Sequence, residues 1–373
     1  MTLCAGDWVE IRSKAEILAT LDENGRLEGM PFMPEMFKWC GQRFQVYKRA
    51  HKSCDTLTGN YVNRLLPNSV HLDLRCDGSS HGSCQAACLI FWKQAWLKPI
   101  DQEASASPAA QAARPGVPSG CSEADIIEAT QARTGLSDGK PKYVCQATEH
   151  PNYTQPLKWW DARQYVEDYT SGNYTLSWML GRFAYFGFMY GTMAKRRTIG
   201  RPARWLYDRF QDFLSGGIPF PRKAGLLASG KDAPAANLGL QPGDQVRVRP
   251  YDEILKTVDT WGQNRGMAFD AEMVPYCGKV FRVRARVHNF IDEKTGYMRH
   301  MKTPAVILDG VYCASRYSEN RLFCPRAIYS WWREIWLEKV TPAVAPVDPP
   351  NRQSERADKA SRLIHAADGP ERR

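Results

Sequence analysis

Four of the 11 cysteines in this 373-residue chain fall in one short stretch: Cys54, Cys76, Cys84 and Cys88. Thiolates are soft anionic donors, so a quartet of them suits Zn²⁺ or an iron–sulfur cluster, with zinc slightly favoured on sequence grounds. Between Cys76 and Cys84 the chain reads Asp77-Gly78-Ser79-Ser80-His81-Gly82-Ser83, residues that let a loop fold around an ion. Cys84 and Cys88 are four apart, which on a helix would place both on one face. The spacing matches no standard zinc knuckle or ferredoxin run, and small buried hydrophobes are the plain alternative. Metal is preferred because clustered cysteines in a reducing compartment are more often ligands than disulfides.

The elements that must position these residues come from a duplication. Shifting the numbering by 237 (243 − 6) aligns 6–76 with 243–313 without a gap. Gly6/Gly243, Asp7/Asp244, Glu16-Ile17-Leu18/Glu253-Ile254-Leu255, Glu35-Met36/Glu272-Met273, Cys40-Gly41/Cys277-Gly278, His51/His288, Asp55/Asp292 and Cys76/Cys313 are identical. After three extra residues the register resumes with Cys84/Cys324, Trp92/Trp332 and Trp96-Leu97/Trp336-Leu337. Such self-similarity is sought before any other pattern because it sets the architecture.

The second copy acts as an internal control. Cys54 and Cys88 become Ile291 and Ile328, as a lost metal site would require, although a cysteine core would tolerate the same swaps. His288, Cys313, Cys324 and Cys277 (or Asp292) form a second candidate ligand set. Cys121, Cys145 and His150 in the middle of the chain could join the first cluster or form another site. A cysteine pair with a distant histidine is more often structural.

Each copy opens on an alternating strand, Asp7–Arg12 and Asp244–Arg249, and Ser13 with Glu16 has capping-box spacing ahead of a short helix. Further strands are expected at 43–47 and 280–284 and at 69–74 and 306–311, and a Trp-Leu segment closes each copy. The Gly-Asp-x-Val-x-Val/Ile-Arg opening and the closing Trp-Leu strand resemble SH3-like small barrels, such as the nitrile hydratase β-subunit and KOW-type barrels of translation factors. The resemblance implies an α+β chain in which two SH3-like small β-barrel repeats, 1–100 and 243–340, flank a helical middle segment, 121–221. It carries no catalytic residues with it. Residues 101–120 and 222–242 read as linkers and 341–373 as a polar, Pro-rich tail.

Within the middle segment, helices are expected from Ser122 toward Arg133, over Trp159–Tyr169 and over Tyr174–Ala194. The last is largely apolar and is followed by Lys195, Arg196, Arg197, Arg201 and Arg204. Burial between the barrels is the first expectation for it. Docking on anionic lipid, or nucleic-acid contact through the arginines, is the alternative. Arg182 and three glycines inside the run argue against a membrane span.

A net charge of +10 permits an acidic partner without requiring one. The N-terminal stretch lacks a basic region followed by an apolar run, so a cytoplasmic location, peripheral to a membrane at most, is expected. No phosphate loop, nucleophile elbow, H-E-x-x-H or dinucleotide fingerprint occurs, and no small-molecule substrate is identified. The shared carboxylates Glu35/Glu272 and Asp22/Asp259 could be catalytic, but their presence in both copies favours caps and turn contacts. The leading expectation is a metal-stabilised binding or scaffold protein with a protein partner, not an enzyme, because four thiolates leave no open coordination position. An Fe–S redox or accessory enzyme and a KOW-type nucleic-acid-binding protein are the rivals.

Overall fold

The computed structural model describes residues 2–58, 62–100, 120–132, 139–194, 202–203, 205–206, 208–209, 224–228, 232–318 and 320–340. Met1–Lys339 form one compact unit of mixed α+β structure built from small antiparallel sheets. Among the described residues no sheet closes on itself, so the expected barrels are not seen as closed barrels. In the second copy the strands Tyr329–Arg333 and Leu337–Lys339 lie at opposite edges of a five-stranded sheet, joined by the single 3-10 turn Glu334–Trp336. The chain itself links the two edges, and no ladder between them completes a barrel.

The two copies share their register. In the first, Val9, Glu10 and Ile11 pair with Pro99, Lys98 and Leu97; in the second, Val246, Arg247 and Val248 pair with Lys339, Glu338 and Leu337. The opening strands also pair alike with their second neighbours, Val9 with Phe44 and Val246 with Phe281. The closing tryptophans are fully buried, and each donates its indole N–H to an equivalent threonine, Trp96 to Thr20 at 3.1 Å and Trp336 to Thr257 at 2.9 Å. A buried indole without such a partner would carry a desolvation penalty. Asp22 and Asp259 serve equivalent turns, each accepting two backbone N–H groups at 2.9 Å, from Asn24 and Arg26 and from Trp261 and Gln263.

The ungapped alignment hides one compensated shift. Val70 pairs with Trp92 while Val306 pairs with Trp332, so Val70 corresponds to Val306 (306 − 70 = 236), one residue off the sequence offset. The second-copy hairpin is therefore one residue shorter. A register irregularity between Ile307 and Tyr312, where Gly310 adopts φ +72°, restores the offset before Cys313. A bulge of this kind inserts one residue without disturbing the flanking ladder.

Ser13 and Glu16 form the expected reciprocal cap of the helix Lys14–Leu18, and Ser122 with Asp125 does the same for Glu123–Glu128. The other middle helices cover Arg163–Thr170 and Leu176–Ala194. Over its described side chains the latter is buried on one side only. Met179, Tyr185 and Phe186 pack with Val274, Tyr317, Leu322 and Phe323 of the second copy, whereas Leu176, Leu180 and Phe183 are exposed. Among the described residues no helix is long and apolar enough to cross a membrane. Lys195, Arg196, Arg197, Arg201 and Arg204, the tail 341–373 and nearly all of the 101–120 linker lie outside the described residues.

Candidate metal centre

Cys76 follows the strand Ser69–His71, and its N–H donates to the Cys88 carbonyl at 2.9 Å, closing a loop that brings the two cysteines side by side. The loop turns at Asp77, whose carboxylate accepts from the Ser79 N–H (3.0 Å) and hydroxyl (2.7 Å), and is tied down by Lys38 at 2.5 Å. Gly78 sits at φ +69°, and a Cβ there would stand 2.1 Å from the Cys84 carbonyl oxygen, so only glycine fits. Residues 84–88 are not helical, contrary to the expected shared helix face, because Ser83 and Ala87 adopt left-handed φ values of 60° and 50°. The second copy holds this segment in place: Gln85 Oε1 accepts the N–H groups of His288 (2.6 Å) and Asn289 (3.0 Å), and Cys84 Sγ accepts that of Ile291 at 3.3 Å.

Cys76, Cys84, Cys88 and Cys145 line one mostly apolar cavity of about 40 Å³, together with His81, Phe91, Ile291 and Arg326. Cys145 arrives from the middle segment. Its neighbour Gln146 is clamped to the backbone of Phe91, accepting the N–H and donating to the carbonyl at 2.9 Å each. Cys54 does not line this cavity; its N–H donates to Cys324 Sγ at 3.1 Å. The sequence pattern of four cysteines thus splits in space. Of the three middle-segment residues that could have joined the first cluster, Cys145 lines the cavity, whereas Cys121 and His150 do not.

Burial raises all four thiols. Cys145 is pushed up to about 11, and Cys76 is raised further by the Glu35 carboxylate beside it. Bare thiols here stay protonated, and a bound cation is what would draw their protons off. Arg326, 3% exposed and anchored to Glu293 at 2.9 Å, contributes positive charge to the cavity wall.

Glu35, Cys76 and His81 present ligand atoms within 4.8 Å of one another, and among the described residues this trio could hold a metal ion. Both Cys76 Sγ and His81 Nδ1 lie 3.0 Å from the same oxygen, Glu35 Oε1, and His81 Nε2 lies 3.0 Å from the Val144 carbonyl. Burial works to raise the Glu35 carboxyl, but the His81 and Cys76 hydrogen bonds outweigh it and hold the group below its ordinary value. By sequence Glu35 reads as a cap or turn residue and His81 as loop filler, so neither is legible there as a ligand.

The second candidate set is distributed differently. Cys277 packs in the core of the second copy, and the His288 N–H meets Gln85. Cys313 and Cys324 sit close enough to Cys54 for their charges to act on one another. A hydrogen bond from Cys324 lowers the Cys54 thiol to about 6 against the opposing effect of burial, with Arg326 adding to the lowering. Cys121 belongs to the first core, and His150 stacks among Phe91 and Tyr153, where burial depresses it to about 3. His51 is buried against the middle helix, its Nε2 3.2 Å from the Gln164 carbonyl.

Compared with known proteins, the chain matches no family model and no curated sequence.

Proposed function

We propose that Cys76, Cys84, Cys88 and Cys145 hold an iron–sulfur cluster and that the protein is a redox or accessory protein built on a duplicated domain. The observation that carries this reading is four cysteines lining one mostly apolar cavity. Soft thiolates in a four-cysteine set are the ordinary ligands of such clusters. The cavity of about 40 Å³ has room for roughly three waters, more than one ion fills. Apolar lining, the Ile291 N–H on Cys84 Sγ and the Arg326 charge are the kinds of surroundings that tune a cluster's potential. Electron transfer needs no substrate motif, in keeping with the silent sequence.

A zinc-stabilised scaffold is the second reading, favoured by the Glu35–Cys76–His81 trio. In either case we read each copy as an opened relative of the SH3-like barrel, supported by the closing strand, 3-10 turn and strand common to both. The exposed Leu176, Leu180 and Phe183 support a surface for a partner.

The test is anaerobic purification followed by a visible spectrum and assays for iron, acid-labile sulfide and zinc. Brown protein containing iron and sulfide is expected. Colourless protein with about one zinc per chain would replace this reading with the scaffold.

A further inference from the structure

The duplication placed the same carboxylate in two different settings. In the first copy, His81 lies 3.0 Å from Glu35 and meets its charge. Its counterpart Glu272 has no histidine available, since the second-copy loop between Cys313 and Cys324 contains none. Glu272 Oε1 accepts the Tyr317 N–H at 2.5 Å, while Oε2, like Glu35 Oε2, is buried with no hydrogen-bond partner, in a residue only 3% exposed. Arg316, whose charge reaches Glu272, has its guanidinium 3.5 Å from the Tyr276 hydroxyl. An orphaned buried carboxylate oxygen is costly unless something fills its place.

Glu272 lines an open cleft of about 590 Å³, within the size range of small-molecule sites. Asp270 stands beside it and raises its pKa further. The cleft's other carboxylates are already engaged, Asp292 with Arg299 at 3.2 Å and Glu293 with Arg326 at 2.9 Å. The rest of the wall carries Thr56, Ser330 and Lys294 beside an apolar and aromatic part made by Met267, Met273 and the edge-to-face pair Phe290–Trp331, with ring centroids 4.9 Å apart.

We propose that this cleft binds a small organic amine, its ammonium group on Glu272 Oε2 and its apolar body against Phe290 and Trp331. An ammonium carries three donors and no acceptor, which is what a lone buried carboxylate oxygen beside a second carboxylate selects. Ala86, Cys88 and Ile291 line both this cleft and the four-cysteine cavity, so a bound amine would sit alongside the thiols. Binding here does not depend on what the cysteines hold.

The experiment titrates the full chain calorimetrically with 2-phenylethylamine and hexylamine, and with the neutral analogues 2-phenylethanol and hexanol. At least one amine is expected to bind, its alcohol at least about tenfold more weakly. Glu272→Gln should remove that preference. If Glu272→Gln does not fold, Trp331→Ala serves instead and should weaken amine and alcohol alike. Equal affinity for amine and alcohol, no amine binding at millimolar concentration, or an unchanged preference in Glu272→Gln would each overturn the proposal. The metal content of the same sample, measured separately, keeps this result distinct from the fate of the cluster.

Discussion

Lys52 of the first copy and Asp168 of the middle segment form an ion pair of 2.5 Å in which both side chains are fully buried. Lys52 Nζ also donates to Gln164 Oε1 at 3.2 Å and lies 5.6 Å from the Phe323 ring of the second copy. One ammonium thus connects three parts of the chain. Burial drives the lysine down, and the Asp168 charge and hydrogen bond are the main effects that resist it.

Asp168→Asn should therefore destabilise the protein by about 3–5 kcal/mol, because it strands a buried charge. The double replacement Lys52→Met with Asp168→Leu should cost far less, since it removes the charges together. Urea unfolding of the parent and both variants checks this. A single variant as stable as the parent would mean that the pair contributes nothing.

The proposed cluster makes two cysteines respond in opposite ways. Cys145→Ser should abolish iron and sulfide loading and the visible absorption. Cys54→Ser, whose parent thiol lies away from the cavity beside Cys324, should retain both. Loss of colour in Cys54→Ser with retention in Cys145→Ser would reverse the ligand assignment.

Gly78 carries the loop that delivers Cys76 and Cys84. At φ +69°, with the Cys84 carbonyl oxygen 2.1 Å from the place an alanine Cβ would take, alanine is excluded on both backbone and steric grounds. Gly78→Ala should cost at least about 1–3 kcal/mol and lower the metal content. Gly41→Ala shares the left-handed φ, +75°, but meets nothing within 4 Å. It should lose stability without losing metal, and a metal assay on both variants separates strain from ligand displacement.

Burial raises the Glu272 carboxyl from its ordinary 4.5 to about 7, with Asp270 adding to the effect and the Tyr317 N–H opposing it. Between those values the folded protein holds a proton that the unfolded chain releases. Its contribution is present below about pH 4.5 and is lost as pH rises through 7. The slope is at most roughly 1.4 kcal/mol per pH unit. Glu272→Gln should flatten the fall in stability between pH 5 and pH 7, measured as unfolding free energy against the parent. An identical pH profile in the two proteins would refute the assignment.

Much of the fold could be read directly. The opening strands, the Ser13 and Ser122 caps and the closing Trp-Leu segments follow from side-chain period and capping chemistry, which act within a few residues. The duplication transmitted the same local rules twice, so both copies took the same register. The one-residue hairpin difference leaves no gap in the alignment because a later bulge cancels it.

The metal centre obeyed different rules. Sequence proximity placed Cys54 with Cys76, Cys84 and Cys88, but the Cys54 N–H meets Cys324 Sγ away from the cavity, and the Gln146 clamp brings in Cys145. Left-handed residues at 78, 82, 83 and 87 aim the loop, and edge contacts with the second copy hold it. Neither leaves a periodic trace. The sequence by itself determined which segments are strands, helices and caps, and that the domain occurs twice, because those depend on neighbours along the chain. Tertiary structure alone decided which thiols share a cavity and which of two equivalent glutamates has a histidine beside it, because side chains distant in sequence meet only once the two copies and the middle segment have packed.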